Sequence, residues 1–312
     1  MADKTKIEWT DATWNPIRAR NLETGGIGHF CVHMSPGCKH CYSEGFQPRF
    51  KNPVRFAWQD RARVEVFLDE EVLLQPLRWK KRRMIFPCSM TDLFGEWVSD
   101  EMIDRIVAVM ALCPQHTFQV LTKRSDRMRE YLTTRDGMGN ASLCKAINEI
   151  PAGMGNRHGA LRMPLSNVWL GVSVEDRPRL LERALDLDMT PAVVRFWSAE
   201  PLLADLGLIV PDLLPDWVIV GGESGPNARP MHPDWARSLR DQCVSAGVPF
   251  FFKQWGEWLP VAGWPSFRSD EQVPIKARCE LKALDDRVRI WRVGKMRAGR
   301  LLDGRTWSEM PT

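Results

Sequence analysis

Three cysteines in one short loop are the residues of this chain best suited to carry chemistry. Cys31, Cys38 and Cys41 are spaced C-x6-C-x2-C and stand beside a Ser-Pro-Gly turn. Three thiolates can hold three irons of a [4Fe–4S] cluster and leave the fourth iron open to a ligand. An open iron lets a cluster bind and cleave a cofactor, whereas a fully ligated cluster only passes electrons.

Other interpretations of this loop stay open at the level of sequence. A structural zinc site uses the same C-x2-C spacing, and His29, His33 or His40 could supply a fourth ligand. A disulfide framework is disfavoured, because the chain is long and has no secretory signal. Thiols that bind no metal are the third alternative. The spacing alone therefore predicts a cluster or zinc without deciding between them.

Length and composition are those of a folded α/β protein. The chain has 312 residues, 44% of them hydrophobic, and a formal net charge of +4. This length suits one large domain or two smaller ones. No apolar run is long enough for a membrane span, and no apolar signal segment follows Met1. We therefore expect a cytoplasmic protein without a membrane partner, in a compartment that keeps its eight cysteines reduced.

Basic residues are concentrated in two places, the segment Leu77–Arg83 and the stretch from Lys276 to Arg305. Such segments attract polyanions, which makes nucleic acid a candidate partner. A solvated basic surface is the alternative. The chain also has 14 tryptophans and only two tyrosines. Bases could stack on some of these rings, although most large aromatic side chains belong to cores or cleft walls.

Short apolar runs alternate with helical patterns along most of the chain. The predicted strands are Lys6–Trp9, Met84–Pro87, Thr117–Leu121, Val168–Val172, Val194–Trp197, Trp217–Val220 and Pro249–Phe252. The predicted helices are Asp100–Leu112 with Ser99 as its cap, Asp176–Asp188, and Pro233–Ala246 closed by Gly247.

Alternation of this kind predicts an α/β fold with parallel strands joined by right-handed crossovers. Seven units favour a partial or complete (β/α) barrel over residues 1–260. The glycine-rich region 134–167, which includes Gly139 and Gly159, interrupts the alternation and is interpreted as an insertion, a candidate lid over the active end. Residues 261–312 are predicted to form a basic C-terminal extension.

Polar residues follow each predicted strand. In parallel α/β folds, ligands and catalytic groups gather at the carboxyl ends of the strands, so these residues are predicted to form one active site. Helix caps, tight turns and structural salt bridges are the alternatives for them. The catalytic candidates are Glu200, Lys123, Lys253 and Cys88, and a buried packing thiol is the alternative for Cys88.

Four stretches and the tail resemble a known family. They are Thr5–Pro16, Ser35–Tyr42, Trp217–Gly225 and Pro249–Gly256, with the tail Gly294–Gly304. They resemble the phage-associated three-cysteine-motif proteins, a family of unknown function similar to radical S-adenosylmethionine enzymes. The likeness runs over nearly the whole chain.

The resemblance implies a radical S-adenosylmethionine fold with a [4Fe–4S] cluster on Cys31, Cys38 and Cys41. It further implies that S-adenosylmethionine is cleaved to methionine and a 5′-deoxyadenosyl radical, with an external reductant and a possible partner protein. Modification or repair of nucleic acid is the candidate reaction. The residues that the resemblance assigns to cofactor binding are Ser89, Thr91, Ser173, Glu175, Gly221, Gly222, Glu223 and His40. Two departures stand out: the first cysteine gap is long, and His40 occupies a position that is usually aromatic in such enzymes.

Overall fold

The computed structural model describes residues 5–138, 140–157, 161–260 and 280–311. The described strands are β1 (Ala12–Trp14), β2 (Ile17–Asn21), β3 (Ile27–Gly28), β4 (Val64–Leu68), β5 (Met84–Pro87), β6 (Thr117–Thr122), β7 (Gly137–Met138), β8 (Arg162–Met163), β9 (Val168–Ser173), β10 (Arg195–Ala199), β11 (Trp217–Gly221), β12 (Phe250–Gln254), β13 (Trp258–Pro260), β14 (Leu281–Ala283), β15 (Arg289–Arg292), β16 (Leu301–Leu302) and β17 (Arg305–Thr306).

The described α-helices are α1 (Tyr42–Phe46), α2 (Glu70–Leu73), α3 (Gln75–Arg78), α4 (Asp100–Ala111), α5 (Ser125–Thr133), α6 (Ala141–Glu149), α7 (Arg177–Asp188), α8 (Pro233–Ala246) and α9 (Lys295–Ala298). No helix in the described ranges combines the length and hydropathy that crossing a bilayer requires. Expectations that concern Lys276, Cys279, Gly139 or Gly159 lie outside the described residues.

The main sheet has seven strands in the order β1-β5-β6-β9-β10-β11-β12. The pairs β1–β5, β5–β6, β6–β9, β10–β11 and β11–β12 are all parallel. In a doubly wound sheet the order reverses at a switch point, whereas here it follows the chain, as in a barrel. The edge strands of this order are β1 and β12, so the sheet is open over the described residues. A parallel α/β fold with the strand order of a partial barrel is confirmed.

The chain divides into two compact units. Unit 1 comprises Met1–Val172 and Leu185–Arg195, and unit 2 comprises Ser173–Ala184 and Phe196–Thr312. The predicted boundary near residue 260 between barrel and extension stays a prediction.

Unit 1 is built around aromatic residues buried beneath its parallel strands. The Trp14 ring is fully buried 5.7 Å from that of Phe118, and its indole N–H donates to the carbonyl of Val72. Helix α4 begins as its sequence predicts, because the Ser99 hydroxyl accepts from the backbone N–H of Met102. These elements hold in place the segments of the chain that follow β5 and β6.

The strands of a second, antiparallel sheet in unit 1 flank the cysteine segment along the chain. This sheet was not predicted from the sequence. Its strand order is β3-β2-β4. The chain leaves β3 at Gly28, passes through the three cysteines into α1, and returns along β4. The alternation of Val64, Val66 and Leu68 is a period-2 signal that points to β4, although only Val64 is fully buried.

Unit 2 has its own buried core under three parallel strands. Trp217 of β11 and Phe250 and Phe252 of β12 are fully buried. Helix α8 has the predicted bounds, with Gly247 in the left-handed conformation at φ 70°. Near the C-terminus, β13, β15 and β14 form a small antiparallel sheet. Trp258 and Ile290 are buried in a core cluster there.

The predicted first strand, Lys6–Trp9, is wrong. Residues 8 and 9 form a turn, and the strand is Ala12–Trp14. The apolar Trp9 suggested a strand, and the residue is indeed buried. It lies outside the paired strands of the sheet, and its ring packs 4.9 Å from that of Phe86. The other six predicted strands are present: Met84–Pro87 has the predicted bounds, and the remaining five differ by one or two residues at one or both ends.

The predicted insertion contains α6 and the antiparallel pair β7–β8. The Asn167 side chain donates to the carbonyls of Met110, Cys113 and His116, and the Asn156 backbone N–H donates to Leu112. These acceptors lie in the connection from α4 to β6. The described part of the insertion therefore contacts the region that leads from α4 to the amino end of β6, and a lid over the active end stays a prediction.

Candidate functional site: a three-cysteine loop and a strand-end cluster

The segment Cys31–Cys41, here called the cysteine loop, is fastened to the polypeptide that follows β5. The Thr91 hydroxyl donates to the carbonyl of Phe30 at 2.5 Å, and the Ser43 hydroxyl donates to that of Met90 at 2.6 Å. The Tyr42 hydroxyl donates to the carbonyl of Ser89. These bonds hold both ends of the loop at the carboxyl end of a parallel strand, where α/β folds place their ligands.

All three cysteine thiols of the loop are free, and they lie close enough to influence one another's ionisation. Burial raises the pKa of the Cys31 thiol well above its usual value, and the Asp92 carboxylate, Cys41 and Cys38 add to this. Burial also raises the pKa of Cys41, against the backbone N–H groups of Ser43 and Glu44 that hydrogen-bond its sulfur. Without a metal the Cys31 and Cys41 thiols are therefore protonated, and a metal would have to displace their protons.

The Arg124 guanidinium lies beside the cysteine loop. It donates to the carbonyl of Val32 at 3.1 Å, to Asp92 at 3.3 Å and to Glu96 at 2.9 Å. It also stacks 4.5 Å from the centre of the Trp97 ring. Burial opposes its charge, but Asp92, the Cys31 sulfur and Glu96 more than offset this, so the pKa of Arg124 is raised.

A permanent cation next to Cys31 lowers the pKa of that thiol and would stabilise a thiolate. Neither Arg124 nor Trp97 was singled out from the sequence as a site residue. The available signal was the position of Arg124 directly after β6, in the motif Thr122-Lys123-Arg124.

Asp92 is the buried anchor of this arrangement. It accepts hydrogen bonds from the Thr122 hydroxyl at 2.6 Å and from the backbone N–H groups of Phe94 and Lys123 at 3.0 Å. It therefore ties the segment after β5 to the end of β6. The catalytic candidate Lys123 is half-buried at that strand end.

The remaining candidates near the loop have mainly internal partners. The Ser89 hydroxyl interacts with the Asn15 side chain, and that of Thr91 accepts from the Trp97 indole at 3.3 Å. Cys88 is buried, with φ 56°, and burial raises the pKa of its thiol well above the usual value. His40 is half-buried between Cys38 and Cys41. A role for these four residues in cofactor binding or catalysis stays a prediction.

The cysteine loop offers three thiols as possible metal ligands. Within the part of the chain that the structure describes, no three His, Cys, Asp or Glu side chains are grouped to hold one metal ion. Ligands of a cubane bind different irons, so their sulfurs stand farther apart than the ligands of one zinc. Two zinc candidates have other partners: His29 Nδ1 lies 3.0 Å from the Ile17 carbonyl, and His33 lies 3.1 Å from Glu44. A three-cysteine cluster on these free thiols, with Arg124 as the neighbouring cation, stays a prediction.

Unit 2 contains a separate group of candidates at its own strand ends, here called the strand-end cluster. Glu200 follows β10 and forms an ion pair of 2.9 Å with Lys253 of β12. The Ser198 hydroxyl donates to the same carboxylate at 3.1 Å. An added Cβ at Gly221 would meet the Glu200 carboxylate at 2.7 Å. The sequence-based expectation that Lys253 pairs with a strand-end carboxylate is met in this pair.

Two other carboxylates of unit 2 are held by arginines. Glu175 is fully buried and accepts from Arg183 at 3.0 Å, and the same guanidinium donates to the carbonyl of Ser173 at 2.8 Å. Glu223 is buried and accepts from both the side chain and the backbone of Arg229. These ion pairs explain Glu175 and Glu223 as structural residues. A role for them in cofactor binding stays a prediction.

Gly222 is explained by packing. A Cβ at this position would lie 2.0 Å from the carbonyl oxygen of Trp255. The chain after β11 and the chain after β12 therefore approach more closely than any side chain allows. Close packing of these two backbone segments therefore accounts for Gly222 without a ligand.

The fold and the loop define a class: an α/β protein with a parallel sheet and a three-cysteine loop at its strand ends. A family model described as "Protein of unknown function (DUF5131)" matches residues 4–311, and the chain belongs to that family. Comparison with curated proteins and with solved structures found no match.

Proposed function

We propose that this protein is a cytoplasmic radical S-adenosylmethionine enzyme with a [4Fe–4S] cluster on Cys31, Cys38 and Cys41 and with nucleic acid as its substrate class. The observation that carries the proposal is the placement of three free, mutually interacting thiols at the carboxyl end of β5, next to Arg124. A bound cluster, with an external one-electron reductant, would supply reductive cleavage of S-adenosylmethionine to methionine and a 5′-deoxyadenosyl radical.

Arg124 orients the loop in this proposal. Its bond to the Val32 carbonyl fixes the backbone next to Cys31, and its charge offsets part of the negative charge of three thiolates. Asp92 in turn holds Arg124 and the segment after β5. The two are positioning residues, because Arg124 touches the loop, Asp92 acts through Arg124, and neither touches the reacting atoms.

The hydroxyls of Thr91, Ser43 and Tyr42 fix the loop from its other side, by donating to backbone carbonyls. Four hydrogen bonds, three from these hydroxyls and one from Arg124 to the Val32 carbonyl, thus hold the loop before any metal binds. Such preorganisation lowers the conformational entropy lost on binding. Ser89 and Thr91 remain the candidates for contact with the methionine group of the cofactor.

The strand-end cluster of unit 2 is the candidate for proton handling at the substrate. Glu200 supplies a proton-accepting carboxylate and Lys253 a proton-donating ammonium group, and the two groups lie 2.9 Å apart. Ser173, Gly221 and Gly222 are the candidates for contact with the nucleoside part of the cofactor.

The first experiment is a measurement of iron, sulfide and zinc on protein purified without oxygen, together with its visible spectrum. We expect about four irons per chain, a brown protein, and a spectrum that changes when S-adenosylmethionine is added. Reductant should then yield 5′-deoxyadenosine and methionine. Colourless protein with zinc alone would instead support a structural zinc site in a nucleic-acid-binding protein without catalysis.

A further inference from the structure

Helix α1 and the turn after it expose their aromatic residues and bury their polar ones. Tyr42, Phe46 and Phe50 are 52%, 37% and 36% exposed. Ser43 and Gln47, one position further along, are 3% and 1% exposed. This is the reverse of the usual surface helix, in which the apolar side faces the core. Exposed apolar groups of this kind mark binding surfaces.

The buried polar side chains explain how the segment keeps this orientation. The Gln47 side chain accepts from the backbone N–H of His29 and donates to the carbonyl of Ser43, both at 2.7 Å. The Asn52 side chain, fully buried, donates to the carbonyl of His29 at 3.3 Å. Because these bonds fix the inner side, the aromatic side chains are held outward.

Cations accompany the aromatic rings. Arg49, Lys51 and Arg55 are exposed, and in the described part of the chain none of them forms an ion pair. The Arg49 guanidinium lies 4.9 Å from the centre of the Phe46 ring. The segment 39–63 has six Lys or Arg and two Asp or Glu residues, an excess of four positive charges that equals the net charge of the whole chain. Its surface is therefore complementary to a polyanion.

We infer that Tyr42, Phe46, Phe50, Arg49, Lys51 and Arg55 form a binding surface for single-stranded nucleic acid, here called the aromatic–basic surface. Bases stack on exposed aromatic rings and phosphates pair with Lys and Arg, a combination that requires unpaired bases. The surface begins at Tyr42, directly after Cys41, so a bound strand lies next to the cysteine loop. The inference deepens the proposed function, on which its meaning as a substrate surface rests.

The test is binding of a labelled 12-nucleotide single strand to the full-length protein, followed by fluorescence anisotropy. The double variant F46A/F50A should weaken binding about tenfold or more, since each lost stack removes a substantial part of the affinity. The variant R49E/K51E should weaken it and lower the slope of log affinity against log salt by about 1.4, the value for two lost phosphate contacts on a single strand.

The matched control is K80E/K81E, which makes the same charge change in the basic segment Leu77–Arg83. It should leave the affinity within about twofold, apart from a small loss through net charge. A hairpin duplex of the same composition should bind more weakly than the single strand.

Equal affinities of F46A/F50A and the unchanged protein would overturn the inference, as would a larger loss in K80E/K81E than in R49E/K51E. Binding to anionic vesicles in place of the oligonucleotide, lost in F46A/F50A, would assign the surface to a membrane instead and also overturn it. The two proposals fail separately: oligonucleotide binding without S-adenosylmethionine cleavage overturns only the proposed function. Cleavage without oligonucleotide binding overturns this inference and the substrate class of the proposed function, and leaves its cofactor chemistry standing.

Discussion

The carboxylates at the strand ends of unit 2 and the thiols of the cysteine loop in unit 1 differ in their charge partners. In unit 2, Glu175, Glu200 and Glu223 each have a cationic partner within 3.0 Å. In the cysteine loop, burial raises the pKa of Cys31, with further contributions from Asp92, Cys41 and Cys38, and Arg124 only partly offsets this. The carboxylates are stabilised by the protein itself, whereas three thiolates together need a further positive charge. In the proposed function a bound metal cluster would supply that charge.

The largest effect should come from the loop itself. Cys38→Ala removes one of three ligands and should abolish iron binding while the fold is kept, because Cys38 contributes only a small buried side chain. Iron and sulfide analysis with a far-ultraviolet circular dichroism spectrum measures both. Cys144→Ala, a half-buried cysteine outside the loop, is the matched control and should retain iron. Full iron content in Cys38→Ala would remove that residue from the ligand set.

A substitution in unit 2 tests whether the paired carboxylates stabilise the fold. Glu175→Gln leaves the Arg183 guanidinium buried without its counter-charge, and we expect a loss of about 3–5 kcal/mol in the free energy of unfolding. Urea unfolding measures it. Arg20→Ala at the exposed Arg20–Glu65 pair is the control and should cost less than about 1 kcal/mol. A stability loss of control size in Glu175→Gln would remove the contrast between the two regions.

Arg124 should have a smaller effect that is specific to the loop. Arg124→Met removes the bond to Val32 and the charge near Cys31, and we expect iron affinity to fall by about 10- to 100-fold. Competition with a chelator measures this. Arg129→Met is the control, since Arg129 pairs with Asp186 in the same unit and, among the residues that the structure describes, does not contact the loop. Equal iron affinity in the two variants would show that Arg124 does not position the ligands.

The smallest effects should appear in the pH dependence of stability. Burial lowers the pKa of His116 in unit 1 below its usual 6.5, so the unfolded chain binds this proton more readily. Stability is then complete above pH 6.5 and falls as the pH drops through that value. In unit 2, hydrogen bonds from Arg237 lower the pKa of Asp303 below 3.8, so its contribution is present above that pH and is lost at lower pH.

Urea unfolding at a series of pH values separates the two windows. His116→Gln should remove the slope just below pH 6.5 and leave the one below pH 3.8 unchanged, and Asp303→Asn should do the opposite. If both slopes survive in His116→Gln, other groups of unit 1 carry the acid sensitivity.

Elements with local signals were predicted well. The cap of α4 at Ser99, the start of α8 at Pro233 and its end at Gly247 are set by hydrogen bonds and dihedral angles within one helical turn. The short strand β1 was misplaced, because three residues show no clear alternation and the nearby Trp9 is buried for another reason. The sheet β3-β2-β4 was missed, since its two-residue member β3 has no pattern of its own.

The sequence by itself determined which residues could do chemistry and roughly where they stand on the chain: three cysteines in one loop, and polar residues after each parallel strand. Tertiary structure alone decided their partners. Arg124 reaches the Val32 carbonyl across 92 residues of sequence, and Thr91 reaches Phe30 across 61. The outward direction of Tyr42, Phe46 and Phe50 depends likewise on buried bonds of Gln47 and Asn52 to His29. The physical reason is that caps and periodicity act within a few residues, whereas charge pairing and burial depend on which distant segments the fold brings together.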